Sequence, residues 1–131
     1  MLSEADRARY ERDGYLFPKQ VLSREQAEVC YEKLGHFLDR FGDEARGKGR
    51  MTKRLHLVLR WVADLARDPN IVDAVEDLIG PDIFCWSTSL FVKEGRSGRF
   101  VSWHQDASYW GLSSDRVVSA IARKCCDPHL V

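Results

Sequence analysis

The apolar residues of this chain change their spacing once, and that change limits the folds open to it. Before Gly80 they recur at three- and four-residue steps, as on one face of a helix. After Ile83 they crowd into short runs rich in β-branched and aromatic side chains, as in strands. Helix patterns come first and strand patterns follow. A parallel doubly wound fold would alternate them, so the order predicts an α+β architecture with helices packed outside an antiparallel sheet.

The helix boundaries carry local signals. Ser3 with Asp6 caps a short helix to about Arg12, which Gly14 ends by supplying a left-handed residue. Tyr15 to Phe17 reads as a short strand. Ser23 and Gln26 form a capping box before Ala27, Cys30, Leu34, Phe37, Leu38 and Phe41, the apolar stripe of a helix over 24 to 41. The stretch from Gly42 to Arg54 holds three glycines, several basic residues and one sizeable apolar side chain, Met51; it reads as an exposed or mobile loop. Leu57 to Ala66 fits another helix. Asp68-Pro69 opens the next, closed by Gly80. Strands are expected over 83 to 93, 100 to 104 and 116 to 122, with a glycine-containing loop at 96 to 99.

Composition excludes several classes of function. Twenty basic residues balance twenty acidic ones, so no overall field draws in nucleic acid or anionic lipid. The apolar runs fall far short of the roughly 20 residues that span a bilayer, and the first eleven residues are too charged for a signal peptide, so a cytoplasmic location is the default. Cys30, Cys85, Cys125 and Cys126 lack the spacing of a disulfide scaffold and read as reduced, mostly buried thiols. At 131 residues the chain is long enough for one domain, covering 1–131, with a core of its own.

Chemistry concentrates in Trp103-His104-Gln105-Asp106. In an extended segment residues two apart point to the same side, so the His104 imidazole and the Asp106 carboxylate converge on one ion. Two histidines and one carboxylate on one face of an octahedral iron(II) leave three positions for cosubstrate and dioxygen. By itself the pair is weak, since a chain of this composition holds roughly 0.4 His-x-Asp pairs by chance. The alternative is a histidine hydrogen-bonded to an acid at a turn.

The surrounding text adds context. Ser89-Leu-Phe-Val-Lys-Glu-Gly, then Val101-Ser-Trp-His-Gln-Asp-Ala-Ser-Tyr-Trp110, then Asp115-Arg-Val-Val-Ser-Ala120 resemble the phytanoyl-CoA dioxygenase family, as do Asp13-Gly-Tyr-Leu16 and the helix ending Glu-Asp-Leu-Ile-Gly-Pro81. The resemblance implies N-terminal helices on a double-stranded β-helix, or jelly roll, of which this chain holds a part. It implies an Fe(II)- and 2-oxoglutarate-dependent dioxygenase, a hydroxylase of a small organic or acyl substrate, with His104 and Asp106 as metal ligands and catalytic residues. Lys53 in Met51-Thr-Lys53 matches a family lysine that binds the 2-oxoglutarate carboxylates; the alternative is a solvated lysine. A halogenase is disfavoured, since chlorinating relatives replace the residue at Asp106 by a small one.

Trp103, Tyr109 and Trp110 are candidates to line a substrate cleft, with burial in the core as the alternative. His56 reads as structural and Lys93 as a solvated strand end. Family members also use a distal histidine and an arginine. His129 is the one later histidine, in Cys125-Cys-Asp-Pro-His-Leu-Val131, and nothing there matches the family pattern. A zinc site there is disfavoured because adjacent cysteines chelate poorly. The match breaks near Ile121, so 121–131 reads as a divergent tail and the chain as truncated, frameshifted or alternatively spliced. A partial jelly roll has open sheet edges, which expects self-association alongside a small-molecule substrate. The rival readings are a catalytically incompetent family member acting as a partner chain, and a structural domain whose His-x-Asp is accidental.

Overall fold

The computed structural model describes residues 1–45, 50–92, 98, 100–114 and 116–122. Five α-helices appear there: α1 (Glu4–Asp13), α2 (Arg24–Phe41), α3 (Arg60–Ala66), α4 (Pro69–Ile79) and the one-turn α5 (Ala107–Trp110). Short 3₁₀ turns at Gly42–Ala45, Arg50–Thr52 and Leu55–Leu57 lie between α2 and α3. No helix among the described residues is long and apolar enough to cross a membrane.

The helices start where their local chemistry dictates. Ser3 and Ser23 each accept from the backbone N–H three residues on, while Asp6 and Gln26 accept from the cap N–H, so both capping boxes form. Asp68 accepts from Asn70 N–H ahead of Pro69, and Gly14, at φ 76°, ends α1. Ahead of α1, the backbone N–H of the buried Leu2 donates to the Asp77 carboxylate on α4, tying the N-terminus to that helix.

The core is small and centred on Leu55, 1% exposed, packed with Phe37 of α2, Ala45 and Val62 of α3. Leu38, Phe41, Met51, Leu59, Trp61 and Leu90 close around it. This corrects two expectations. The stretch after Gly42 is not simply exposed: Ala45 is fully buried and Thr52 nearly so. Gly42, at φ 51°, lets the chain turn back onto α2, and the small Ala45 side chain fits where the backbone comes close. The helix expected from Leu57 is broken as well. A 3₁₀ turn buries Leu55 and exposes Leu57, and α3 begins at Arg60.

The strand expectations are corrected in the same way. Among the described residues the sole β-type pairing is an isolated antiparallel bridge, Lys53 to Ser89, flanked by Arg54 N–H to Thr88 O at 2.7 Å and Leu90 N–H to Thr52 O at 2.9 Å. The described parts of 15 to 17, 83 to 92, 100 to 104 and 116 to 122 form no ladder. Strand sequences need neighbouring backbones to pair with. Here their apolar side chains stand open: Phe84, Phe91, Phe100, Val101 and Ile121 are all largely exposed. The expected loop at 96–99 lies outside the described residues apart from Gly98, as do Lys93, Asp115, Cys125, Cys126, Asp127 and His129. Of the described cysteines, Cys30 is half-buried and Cys85 exposed, against the expectation of burial.

Leu55→Ala should destabilise the fold by about 2–5 kcal/mol, because it empties the middle of the core. Leu57→Ala, three-quarters exposed, should cost less than about 0.5 kcal/mol. Urea unfolding followed by far-ultraviolet circular dichroism compares the two, and equal losses would contradict the core described.

Candidate metal-binding site

His104 precedes the short helix α5, and Asp106 occupies its N-cap position. An aspartate there ordinarily accepts from the first helical N–H groups. Asp106 does not: its backbone is right-handed helical, at φ −57° and ψ −41°, and its side chain makes no capping bond. The carboxylate turns instead to two other side chains. Oδ1 lies 3.1 Å from His104 Nε2, and Oδ2 accepts from the Ser119 hydroxyl.

The imidazole is oriented from its other side. His104 Nδ1 donates to the Ser102 carbonyl at 2.7 Å, which fixes the proton on Nδ1 and leaves the Nε2 lone pair toward Asp106. A lone pair and a carboxylate 3.1 Å apart repel unless a positive charge sits between them. A proton can do this: the Ser102 carbonyl, and then the Asp106 carboxylate, hold the His104 pKa above its ordinary 6.5. The sign follows. The protonated pair contributes stability fully below about pH 6.5, lost as pH rises through the higher folded value.

Aromatic rings flank the pair. The Tyr109 ring on α5 meets the His104 ring edge-on at 6.3 Å, and Tyr15 packs against Trp103 at 6.0 Å between centroids. Trp103 is 91% exposed and Tyr109 77%, so neither is a core residue, while Trp110 is half-buried. Lys53 is exposed, its backbone bridged to Ser89. His56 is tied to Thr88: its N–H donates to the Thr88 hydroxyl at 3.1 Å, and its Nδ1 lies 3.0 Å from the same oxygen, the structural role expected of it.

The spacing of His104 and Asp106 pointed to their convergence, though an extended backbone is not what produces it. The chain turns into α5 at Asp106, and that turn swings the carboxylate back. Ser119 escaped the sequence reading. It is 13 positions downstream, and its one signal is a hydroxyl inside the apolar run Val117-Val-Ser-Ala120. Among the described residues no group of three or more His, Cys, Asp or Glu side chains is placed to hold a metal ion.

Comparison with known proteins places the chain in a family. The phytanoyl-CoA dioxygenase (PhyH) family model matches residues 10–123. Among curated relatives, the ectoine dioxygenase of Halomonas elongata is 25% identical over 91% of this chain and 40% of its own length. That of Streptomyces avermitilis is 24% identical over 90% of this chain and 44% of its own length. That of Nocardia farcinica is 28% identical over 84% of this chain and 41% of its own length. The chain thus spans less than half the length of these relatives. No solved structure matches it.

Asp106→Asn removes the charge that, after the Ser102 carbonyl, favours the imidazolium. The His104 pKa should therefore fall in an NMR pH titration, and an unmoved value would show that the pair does not form in solution. With the family model covering residues 10–123, nearly the whole chain, this protein belongs to the phytanoyl-CoA dioxygenase family.

Proposed function

We propose that this chain carries part of the active site of an Fe(II)- and 2-oxoglutarate-dependent dioxygenase, in which His104 and Asp106 are two of the protein ligands to iron. The observation that carries the reading is the 3.1 Å approach of His104 Nε2 to Asp106 Oδ1. Two neighbouring donors about 2.1 Å from an octahedral ion lie about 3.0 Å apart, so the pair has the spacing of one octahedral edge. One imidazole nitrogen and one carboxylate oxygen also suit iron(II) chemically. The donor set fits as far as it goes, with no third such side chain beside the pair among the described residues.

Bound iron with 2-oxoglutarate and dioxygen supplies the oxidising power to hydroxylate a C–H bond, with succinate and carbon dioxide as co-products. The chain's own residues hold and orient. The Ser102 carbonyl, by accepting Nδ1–H, keeps Nε2 free as a donor. Tyr109 restrains the imidazole ring at its edge. Lys53 is the partner for a cosubstrate carboxylate, an ammonium on a loop pinned beside Ser89. Trp103, Tyr109 and Trp110 offer apolar faces to a substrate and exclude water from it. The relatives named for ectoine favour a small organic substrate.

The fold that accompanies this reading is the family's jelly roll, with N-terminal helices on its outside. Its further strands correspond to the share of the relatives' length that this chain does not span. They would cover Phe84, Phe91 and Phe100; where they are missing, the same residues favour self-association through open edges.

One observation favours a second reading, a chain that binds metal poorly and acts as a partner: no third donor joins the pair among the described residues. Anaerobic titration with iron(II) and 2-oxoglutarate separates the two, since a complete site gives a weak visible charge-transfer band and an incomplete one gives none. A finer prediction concerns pH. The ion must displace the proton shared by the pair, so affinity for Mn(II) or Fe(II) should rise up to about tenfold per pH unit below the His104 pKa and level off above it. Isothermal titration across pH 5.5–8 measures this, and either a flat profile or unchanged binding by His104→Ala would contradict the proposed ligation.

A further inference from the structure

We infer that Ser119 is the positioning residue for the metal-binding carboxylate: its hydroxyl holds Asp106 Oδ2 so that Oδ1 stays on the His104 side. The inference rests on the ligand role proposed for His104 and Asp106 and deepens it.

Asp106 needs such a partner. A carboxylate turns readily about its side-chain bonds, and at a helix N-cap the competing acceptor site is the ring of N–H groups in the first helical turn. Asp106 forgoes that bond, so another group must hold the carboxylate across from His104. Ser119 Oγ–H does so through the second oxygen, leaving Oδ1 its lone pairs for an ion. Ser102 does for the imidazole what Ser119 does for the carboxylate.

Ser119 is itself held. Three residues earlier the Arg116 guanidinium donates to the carbonyl of Ile79, the last residue of α4. A cation at that end of a helix meets the negative pole of its dipole and an otherwise orphaned carbonyl. Gly80 suits the approach: its φ is 86°, which favours glycine, and a Cβ there would lie a tight 3.3 Å from the same guanidinium. The segment carrying Ser119 is thus fastened to α4 by one side chain and to Asp106 by another.

The test is metal affinity in the intact chain, measured anaerobically with Fe(II) and, in air, with Mn(II). Ser119→Ala should weaken binding by about tenfold or more, the usual consequence of removing a group that orients a ligand. Ser119→Thr, which keeps the hydroxyl, should stay within about threefold of the parent. Ser119→Val matches threonine in shape and lacks the hydroxyl, so the Thr/Val pair isolates the hydrogen bond even where the alanine variant disturbs the fold. Valine binding as tightly as threonine, or alanine as tightly as the parent, would overturn the role of Ser119 while leaving His104 and Asp106 as ligands. A parent chain whose metal binding is untouched by His104→Ala would overturn the ligand role and this inference together.

Discussion

Leu55 is the point on which the rest of the molecule is hung. It is the one large side chain among the described residues that is essentially sealed from solvent, and α2, α3 and the two preceding 3₁₀ turns reach it from different directions. Its backbone neighbours carry the constraint outward. Thr52 and Arg54, the immediate neighbours of Lys53 in the pairing, bond to Leu90 and Thr88, and Leu90 itself packs on the core. A basic, glycine-rich stretch is thereby converted into the attachment that joins the helical half of the chain to the half holding His104. Lys53 owes its fixed backbone to this, and the His56–Thr88 contacts repeat the attachment a few residues on.

Beyond that attachment, side chains of the described residues tie the second half to the first and to itself. Arg116 secures it to α4, Tyr15 meets Trp103, and Ser119 meets Asp106. Meanwhile large apolar side chains at 84, 91, 100 and 121 face solvent. An apolar residue that finds no covering layer contributes nothing to stability, so these exposed side chains do not hold this half in place, whereas Leu90 on the core and the Arg116, Ser119 and Thr88 hydrogen bonds do. The contrast with the first half is one of topology: a helix satisfies its own backbone, whereas a strand depends on a neighbour.

That contrast also explains what could be read from the sequence. The capping boxes at Ser3 and Ser23, the Asp68-Pro69 start and the Gly14 stop are local, involving residues within a turn of each other, and the structure has all of them. The burial of Ala45 and Thr52 was illegible because it is decided by α2 and α3, not by neighbours in sequence. The runs after Ile83 have strand composition, yet composition does not provide a partner backbone. At the site, the two-residue spacing of His104 and Asp106 was legible, while the Ser119 contact spans 13 positions and rests on a single hydroxyl with no pattern of its own.

Asp106 shows how a local preference can be overridden by side-chain contacts. A capping bond from its carboxylate to the start of α5 would stabilise that helix by about 1 kcal/mol. The chain gives this up and sets the carboxylate against an imidazole whose free nitrogen faces it, an arrangement that repels unless a proton or a metal ion lies between. For stability alone, a cap would serve better than an exposed pair that needs a third party. Under the proposed ligation the sacrifice makes physical sense: a cation drawn in between Nε2 and Oδ1 would gain both donors at once, with the Ser102 carbonyl and the Ser119 hydroxyl already holding them in place.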